Sequence, residues 1–230
     1  MSDASPSSGQ RTSSVNLVRS SNPWTEADSA AGFVLRYLSP MRRQLIAVLG
    51  SEQQADEALK LLLAHLVSAG FGDYKKGRLR DFLVRGLRSA AKSRLSELPK
   101  DETPSVDLEP LTIESKEWLR LWREGLLERA WRSLERKEHA EPDLPVYSVL
   151  HLATTNPEAT PAMLAVQVNT EFGLQIDQDV VREVLPEARA MFAQLVADEV
   201  AETLETPTIE EVKREIGHLG LGKAFAGLNI

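Results

Sequence analysis

The sequence predicts an all-α fold in which two small helical domains are joined by an acidic, proline-containing linker. Apolar residues recur at three- and four-residue intervals over most of the chain, and no segment of convincing length alternates as a strand does. Between Ser96 and Glu114 the chain has three prolines, six acidic residues and one lysine, which is a linker composition. A length of 230 residues allows two such domains.

These observations divide the chain into five segments. The first 22 residues include eight serines and show no apolar period, so we expect a disordered Ser-rich tail. The predicted segments are the tail over residues 1–24, a first helical domain over 25–95, the linker over 96–114, a second helical domain over 115–205 and a C-terminal extension over 206–230.

Three helices are predicted in the first domain. Thr25 is a candidate N-cap for the first, which Pro40 should kink or interrupt. The second begins near Ser51 and ends at Gly70 or Gly72. The third follows a Gly-containing turn and buries one apolar face, while another face carries basic residues. Those basic residues are Arg78, Arg85, Arg88 and Lys92.

The second domain begins with an amphipathic helix whose three tryptophans we expect to anchor the core. A helix through Tyr147 and Leu152 should end at Asn156-Pro157. Thr160 can cap the next helix with Pro161 at its first position, and Asp177 can cap the helix after the turn at Gly173. The segment from Arg189 to about Leu204 is predicted to continue as a helix, and a short capped helix is predicted from Thr208 to Ile216.

The two helices that Thr160 and Asp177 cap are separated by a short, Gly-containing turn. This order is the helix-turn-helix plan, in which the second helix enters the major groove of DNA. Many all-helical proteins contain such corners, so the pattern alone is a weak indication of DNA binding.

The composition excludes several classes of chemistry. The chain has no cysteine and four scattered histidines without a zinc-ligand pair, so we expect no metal and no cofactor. Phosphate-binding Gly-rich loops and nucleophile-elbow motifs are missing as well, which argues against an enzyme. No signal peptide or membrane-spanning run is present, so a cytoplasmic protein without membrane contact is predicted.

The charge is distributed unevenly. The whole chain carries −7, yet the 21 residues from Tyr74 to Arg94 contain eight basic residues and one acid, a local charge of +7. A compact cationic segment in an acidic protein points to a polyanionic partner better than the total charge does. A solvated helix face paired with nearby acids would explain the same pattern.

Several segments together resemble one family. ADEALKLLLAHLV from Ala55, YKKGRLRDFLVRGLRSAAKSRL from Tyr74 and TPAMLAVQVNTEFGLQIDQDVVREVLPEARAMFAQLVADEV from Thr160 resemble RNA polymerase sigma factors of the extracytoplasmic-function type. PTIEEVKREIGHLGLGKAF resembles the extended C-terminus of a divergent branch. The resemblance implies a transcription initiation factor whose partners are core RNA polymerase and promoter DNA, with an anti-sigma factor or a regulatory kinase as a further partner.

The resemblance also implies roles for individual residues. Three positions near the start of the second helix would face the polymerase: Asp56, Glu57 and Lys60. Six basic residues of the first domain would contact the melted promoter: Arg78, Arg80, Arg85, Arg88, Lys92 and Arg94. Three residues of the helix-turn-helix would contact the duplex: Gln178, Arg182 and Arg189.

The sequence departs from the family in two places. Lys60 and Leu61 stand where the family has Gln-Glu, and Pro186-Glu187 replaces a basic pair. Pro186 should break or kink its helix, and Asp177–Glu199 has two basic and six acidic residues, a net charge of −4. Promoter contact is therefore expected mainly through the first domain. The alternative is a degenerate sigma-like adaptor that regulates through protein–protein contacts without promoter recognition.

Overall fold

The computed structural model describes residues 14–19, 22–99 and 105–229. Within these ranges the protein has nine α-helices and no β-strand, which confirms the all-α prediction. No helix among them is long and apolar enough to cross a membrane. The helices are α1 (Ala30–Leu35), α2 (Leu38–Leu49), α3 (Glu52–Ala69), α4 (Leu79–Glu97), α5 (Lys116–Ala140), α6 (Val146–Thr155), α7 (Pro161–Phe172), α8 (Gln178–Glu202) and α9 (Ile209–His218).

Four predicted helix starts are confirmed by their caps. The side chains of Ser51, Thr160 and Thr208 each accept a hydrogen bond from the backbone N–H three residues on, at 3.2 to 3.3 Å. Asp177 Oδ1 accepts two hydrogen bonds, from the N–H of Asp179 at 2.9 Å and from the N–H of Val180 at 3.0 Å. Each cap satisfies N–H groups that a helix leaves unpaired in its first turn.

Pro40 and Pro186 have different effects on their helices. Ser29 rather than Thr25 caps the first helix, and the helix is interrupted at Arg36 and Tyr37, before Pro40, in line with the prediction. Pro40 then lies in the first turn of α2, where a missing N–H costs no helical hydrogen bond. Of the break or kink expected at Pro186, a break is excluded, because α8 continues from Gln178 to Glu202 with Pro186 on an exposed side.

The helices of the first and second halves pack around one continuous hydrophobic cluster. In the first half, α3 packs on α2 and α4; in the second, α5, α6 and α7 pack on α8. Contact between α5 and α2 joins the halves, and a Cβ at Gly125 would lie 3.0 Å from the Pro40 ring. The absence of a side chain at Gly125 therefore lets α2 and α5 approach closely.

A partly buried polar network also joins the halves. Tyr37 stacks on Trp122 with ring centroids 4.8 Å apart, and the Arg129 guanidinium lies 5.3 Å from the Tyr37 ring. Arg129 donates to Glu199 at 2.7 and 3.0 Å. Burial raises the pKa of the Glu199 carboxyl, and the hydrogen bond from Arg129 opposes that rise.

Part of the segment predicted as a tail is packed against the fold. Residues 1–13 and 20–21 lie outside the described ranges, but Val15, Leu17 and Trp24 are buried. The N–H of Val15 donates to the carbonyl of Asn229 at 2.9 Å, so this segment meets the C-terminal end of the chain. Three buried residues in an irregular segment do not produce the apolar spacing of a helix or a strand, so the sequence did not indicate that this segment is buried.

Candidate nucleic-acid interface

The eight basic residues of the cationic segment fall into exposed and sequestered groups. Arg85 and Lys92 lie two turns apart on the same face of α4, both exposed, and neither forms an ion pair within the described ranges. Between them, Arg88 pairs with Glu109 at 2.9 Å. The Glu109 side chain is 76% exposed, and a solvent-exposed ion pair of this kind contributes little to stability. Arg88 can therefore exchange Glu109 for another anion.

We call Arg85, Arg88, Ser89, Lys92 and Ser93 the α4 face. Beside it, a groove of about 500 Å³ runs between α3 and α4 and reaches Leu61 and His65 on the α3 side. Close packing of the two helices forms its floor, because a Cβ at Gly86 would lie 2.9 Å from Leu62 Cδ1. The groove thus places hydroxyl groups and an imidazole beside the exposed guanidinium of Arg85.

The loop before α4 adds two lysines at the other end. Lys76 is exposed and forms no ion pair among the residues described, while Lys75 Nζ donates to the carbonyl of Thr25 at 3.2 Å. These side chains extend the positive potential beyond the first turn of α4.

Arg78 and Arg80 do not join this surface. Arg80 is 2% exposed, and its Nε donates to Glu215 Oε1 on α9 at 2.6 Å. Arg78 Nε lies 2.9 Å from the other oxygen of the same carboxylate. The expected contact of Arg80 with DNA does not fit this placement, because its charge is already neutralised inside the protein. Burial raises the pKa of the adjacent Asp81, and Arg80 opposes that rise.

Arg94 lies at the far end of α4 with a 20% exposed side chain. Its Nε donates to Gln54 Oε1 at 2.8 Å, and its Nη1 lies 3.2 Å from Glu97. Arg94 therefore ties the end of α4 to the start of α3, with little of its surface left for a ligand.

The three residues expected to face the polymerase lie near this junction on α3. Asp56 accepts from Arg42 at 2.6 and 3.1 Å, and the Arg42 hydrogen bond lowers the Asp56 pKa. Glu57 accepts from Lys60 at 2.8 Å, and that bond lowers the Glu57 pKa. All three remain on the surface, but their charges are largely balanced locally.

The second half brings the remaining candidates onto one exposed face of α8. Arg182 lies 2.6 Å from Asp179 and donates to Gln178 Oε1 at 3.3 Å, whereas Arg189, two turns on, has no ion pair with a described residue. The side-chain amide of Asn169 bonds both the N–H and the carbonyl of Ile176, each at 2.8 Å, and so fixes the turn between α7 and α8.

Sequence reasoning missed the residue with the largest effect on the cationic segment, Glu215. In the sequence of the amphipathic α9, Glu215 cannot be told from a solvent-exposed acidic residue, and no local signal identifies its partner. Ser89 and Ser93 were also missed, although their spacing from Arg85 could have placed them on one helix face.

No side-chain cluster in the described ranges has three or more metal-ligating groups arranged to hold an ion. No protein-family model, curated protein or solved structure matches this chain.

Proposed function

We propose that the protein is a transcription initiation factor that binds core RNA polymerase and directs it to promoter DNA. In this proposal the α4 face binds the phosphates of the opened strand, and the start of α3, with Asp56, Glu57 and Lys60, binds the polymerase. The protein would act in the cytoplasm, as a binding protein without its own catalysis.

One observation carries the proposal: unpaired Arg85 and Lys92 flank weakly paired Arg88 on an exposed helix face, in a protein of net charge −7. Basic side chains so placed release counterions when they meet phosphates, which favours binding to a strand of any sequence. The hydroxyls of Ser89 and Ser93 on the same face can donate to or accept from unstacked base edges.

Residues 25–95 and 115–205 would act as two modules of this factor, although they share a core. Within the second module we propose that α7, the turn and α8 form a helix-turn-helix. Its part in duplex binding should be small, because Arg182 is paired and Asp177–Glu199 is net negative at −4. Promoter contact would therefore depend mainly on the first module.

A specific observation favours a second candidate, a sigma-like adaptor without promoter recognition. Glu215 pairs with both Arg78 and Arg80, two of the eight basic residues of the segment from Tyr74 to Arg94, and Asp81 supplies a second negative charge beside Arg80. An adaptor would need no phosphate-binding surface and could use α3 or α9 to bind another protein.

A transcription assay with core polymerase from the native cell separates the two candidates. The initiation factor should co-elute with core polymerase and support promoter-dependent transcription, and an Arg85→Glu/Arg88→Glu variant should lose transcription while it still co-elutes. The control is Arg132→Glu/Arg136→Glu, which reverses two exposed charges on α5. Co-elution with a different protein and no transcription from any promoter would establish the adaptor instead.

A further inference from the structure

A second cavity lies in the second half, away from the α4 face. It has a volume of about 820 Å³, is open to solvent on one side, and is lined by α5, α6, α8 and the C-terminal turn at Gly222–Phe225. Ligand pockets in proteins commonly hold about 300–1,000 Å³, so a small organic molecule fits this space. It is a separate site from the groove between α3 and α4.

The wall of this cavity is largely apolar. Trp131 is one of the lining residues and packs on Phe192, with ring centroids 4.5 Å apart. Tyr147 and His151 meet the Trp131 ring edge to face, at 5.9 Å each, and hold its orientation. The remaining apolar lining includes Leu127, Leu150 and Leu221. An apolar or aromatic body would lose contact with water against this wall.

Three cations from three separate elements line the same cavity: Arg123 of α5, Arg189 of α8 and Lys223 of the C-terminal turn. None of them forms an ion pair or a side-chain hydrogen bond with a described residue, and no acid is among the lining residues. Arg189 was expected on duplex DNA, and its place at this cavity gives the side chain another role.

This lack of partners is unusual for the protein. Of the arginines in residues 14–19, 22–99 and 105–229, only Arg85, Arg123 and Arg189 have neither an ion pair nor a side-chain hydrogen bond, and two of those three line this cavity. The chain has 34 acidic and 27 basic residues, and most of its described arginines form an ion pair with a carboxylate. A bound anion would supply the counter-ion that Arg123 and Arg189 lack.

We propose that this cavity binds an amphipathic anion, a molecule whose carboxylate or phosphate group meets Arg123, Arg189 and Lys223 while its apolar body covers Trp131. The planar forks of the two arginines suit two-pronged hydrogen bonding to either anion. Lys223 adds a point charge from the C-terminal turn. This inference does not depend on the proposed role in transcription.

The C-terminal turn that lines the cavity is continuous with the segment that contacts Val15. Gly220 has a φ of 65°, which favours glycine, and a Cβ there would lie 3.4 Å from Arg123 Nη1. The chain therefore turns back over Arg123 and continues to Asn229, whose carbonyl accepts from Val15. A ligand that holds Lys223 would stabilise the contact between the two ends of the protein.

Isothermal titration of the full chain tests the proposal with four probes kept below their micelle concentrations: decanoate, decyl phosphate, decanol and inorganic phosphate. We expect decanoate or decyl phosphate to bind with one-to-one stoichiometry, and the tighter of the two identifies the anionic group. Decanol and inorganic phosphate should each bind at least about tenfold more weakly, because decanol has no anionic group and inorganic phosphate has no apolar body.

Variants locate the binding event. Arg189→Gln should weaken the tighter anion about tenfold, the loss of one charge-assisted hydrogen bond. The matched control, Arg182→Gln, removes an arginine of the same helix that lies outside the cavity and should leave the affinity unchanged. Bromine-labelled decanoate should quench tryptophan fluorescence, and Trp131→Phe should remove most of that quenching. Equal binding of decanol and decanoate, equal affinities of the two arginine variants, or no binding of either anion would overturn the proposal.

Discussion

Arg80 Nε donates to Glu215 Oε1 at 2.6 Å, and the two side chains are only 2% and 1% exposed. The bond links the start of α4 to α9, which are 135 residues apart in sequence. Two charges that leave water together are costly unless each is fully paired, and here Arg78 and Asp81 supply the additional partners. The start of the cationic helix is thus held inside the protein and its middle is left for a ligand.

Glu215→Gln should destabilise the protein by about 3 kcal/mol, because it leaves the Arg80 charge buried without its main counter-ion. Urea unfolding followed by circular dichroism measures the change in free energy of unfolding. Glu210→Gln changes an exposed acid on the same helix and should cost less than about 0.5 kcal/mol. Equal stabilities of the two variants would show that the ion pair contributes nothing.

Pro186→Ala should raise the free energy of unfolding by about 2 kcal/mol, because α8 passes through this position without a break and proline is the least favourable residue in a helix interior. Pro161→Ala is the control, since Pro161 lies at the first position of α7, where proline is well tolerated. Thermal or urea unfolding of both variants provides the comparison. A loss of stability in Pro186→Ala would mean that α8 depends on this proline.

Glu199 should give the protein a specific pH dependence. Burial raises the pKa of this carboxyl from its ordinary 4.5, so the folded protein takes up the proton at a higher pH than the unfolded chain does. The free energy of unfolding of the wild type, relative to Glu199→Gln, should therefore rise as the pH falls from 7 through the folded pKa. It should level off below 4.5, where the unfolded chain is protonated as well. A difference that stays constant or falls over that window would contradict the assignment.

Local signals predicted the helices well. Thr160, Asp177 and Thr208 were predicted as caps and Ser51 as the approximate start of a helix, and each of the four side chains accepts a capping hydrogen bond. Such bonds involve groups within three residues of each other, so the sequence pattern contains all that determines them. Pro186 does not end its helix, because packing of α8 on α5, α6 and α7 outweighs a local preference.

The candidate site could be predicted only in part. The spacing of Arg85 and Lys92 placed them on one face of a helix, and the structure has them there. The burial of Arg80 depends on Glu215, and the three cations of the cavity come from α5, α8 and the C-terminal turn. Contacts between elements far apart in sequence leave no periodic pattern, so charge counting could not separate sequestered from available cations.

The salt dependence of strand binding tests the central claim most directly. A fluorescein-labelled single-stranded oligonucleotide of mixed sequence is titrated by anisotropy at several salt concentrations with three proteins: the wild type, Arg85→Gln/Lys92→Gln and the control Arg132→Gln/Arg136→Gln. We expect the first variant to bind more weakly and to lose about 1.4 from the slope of log K against log salt, since each phosphate contact contributes about 0.7. The control should keep the wild-type slope. Equal slopes for all three proteins would contradict a strand-binding role for the α4 face.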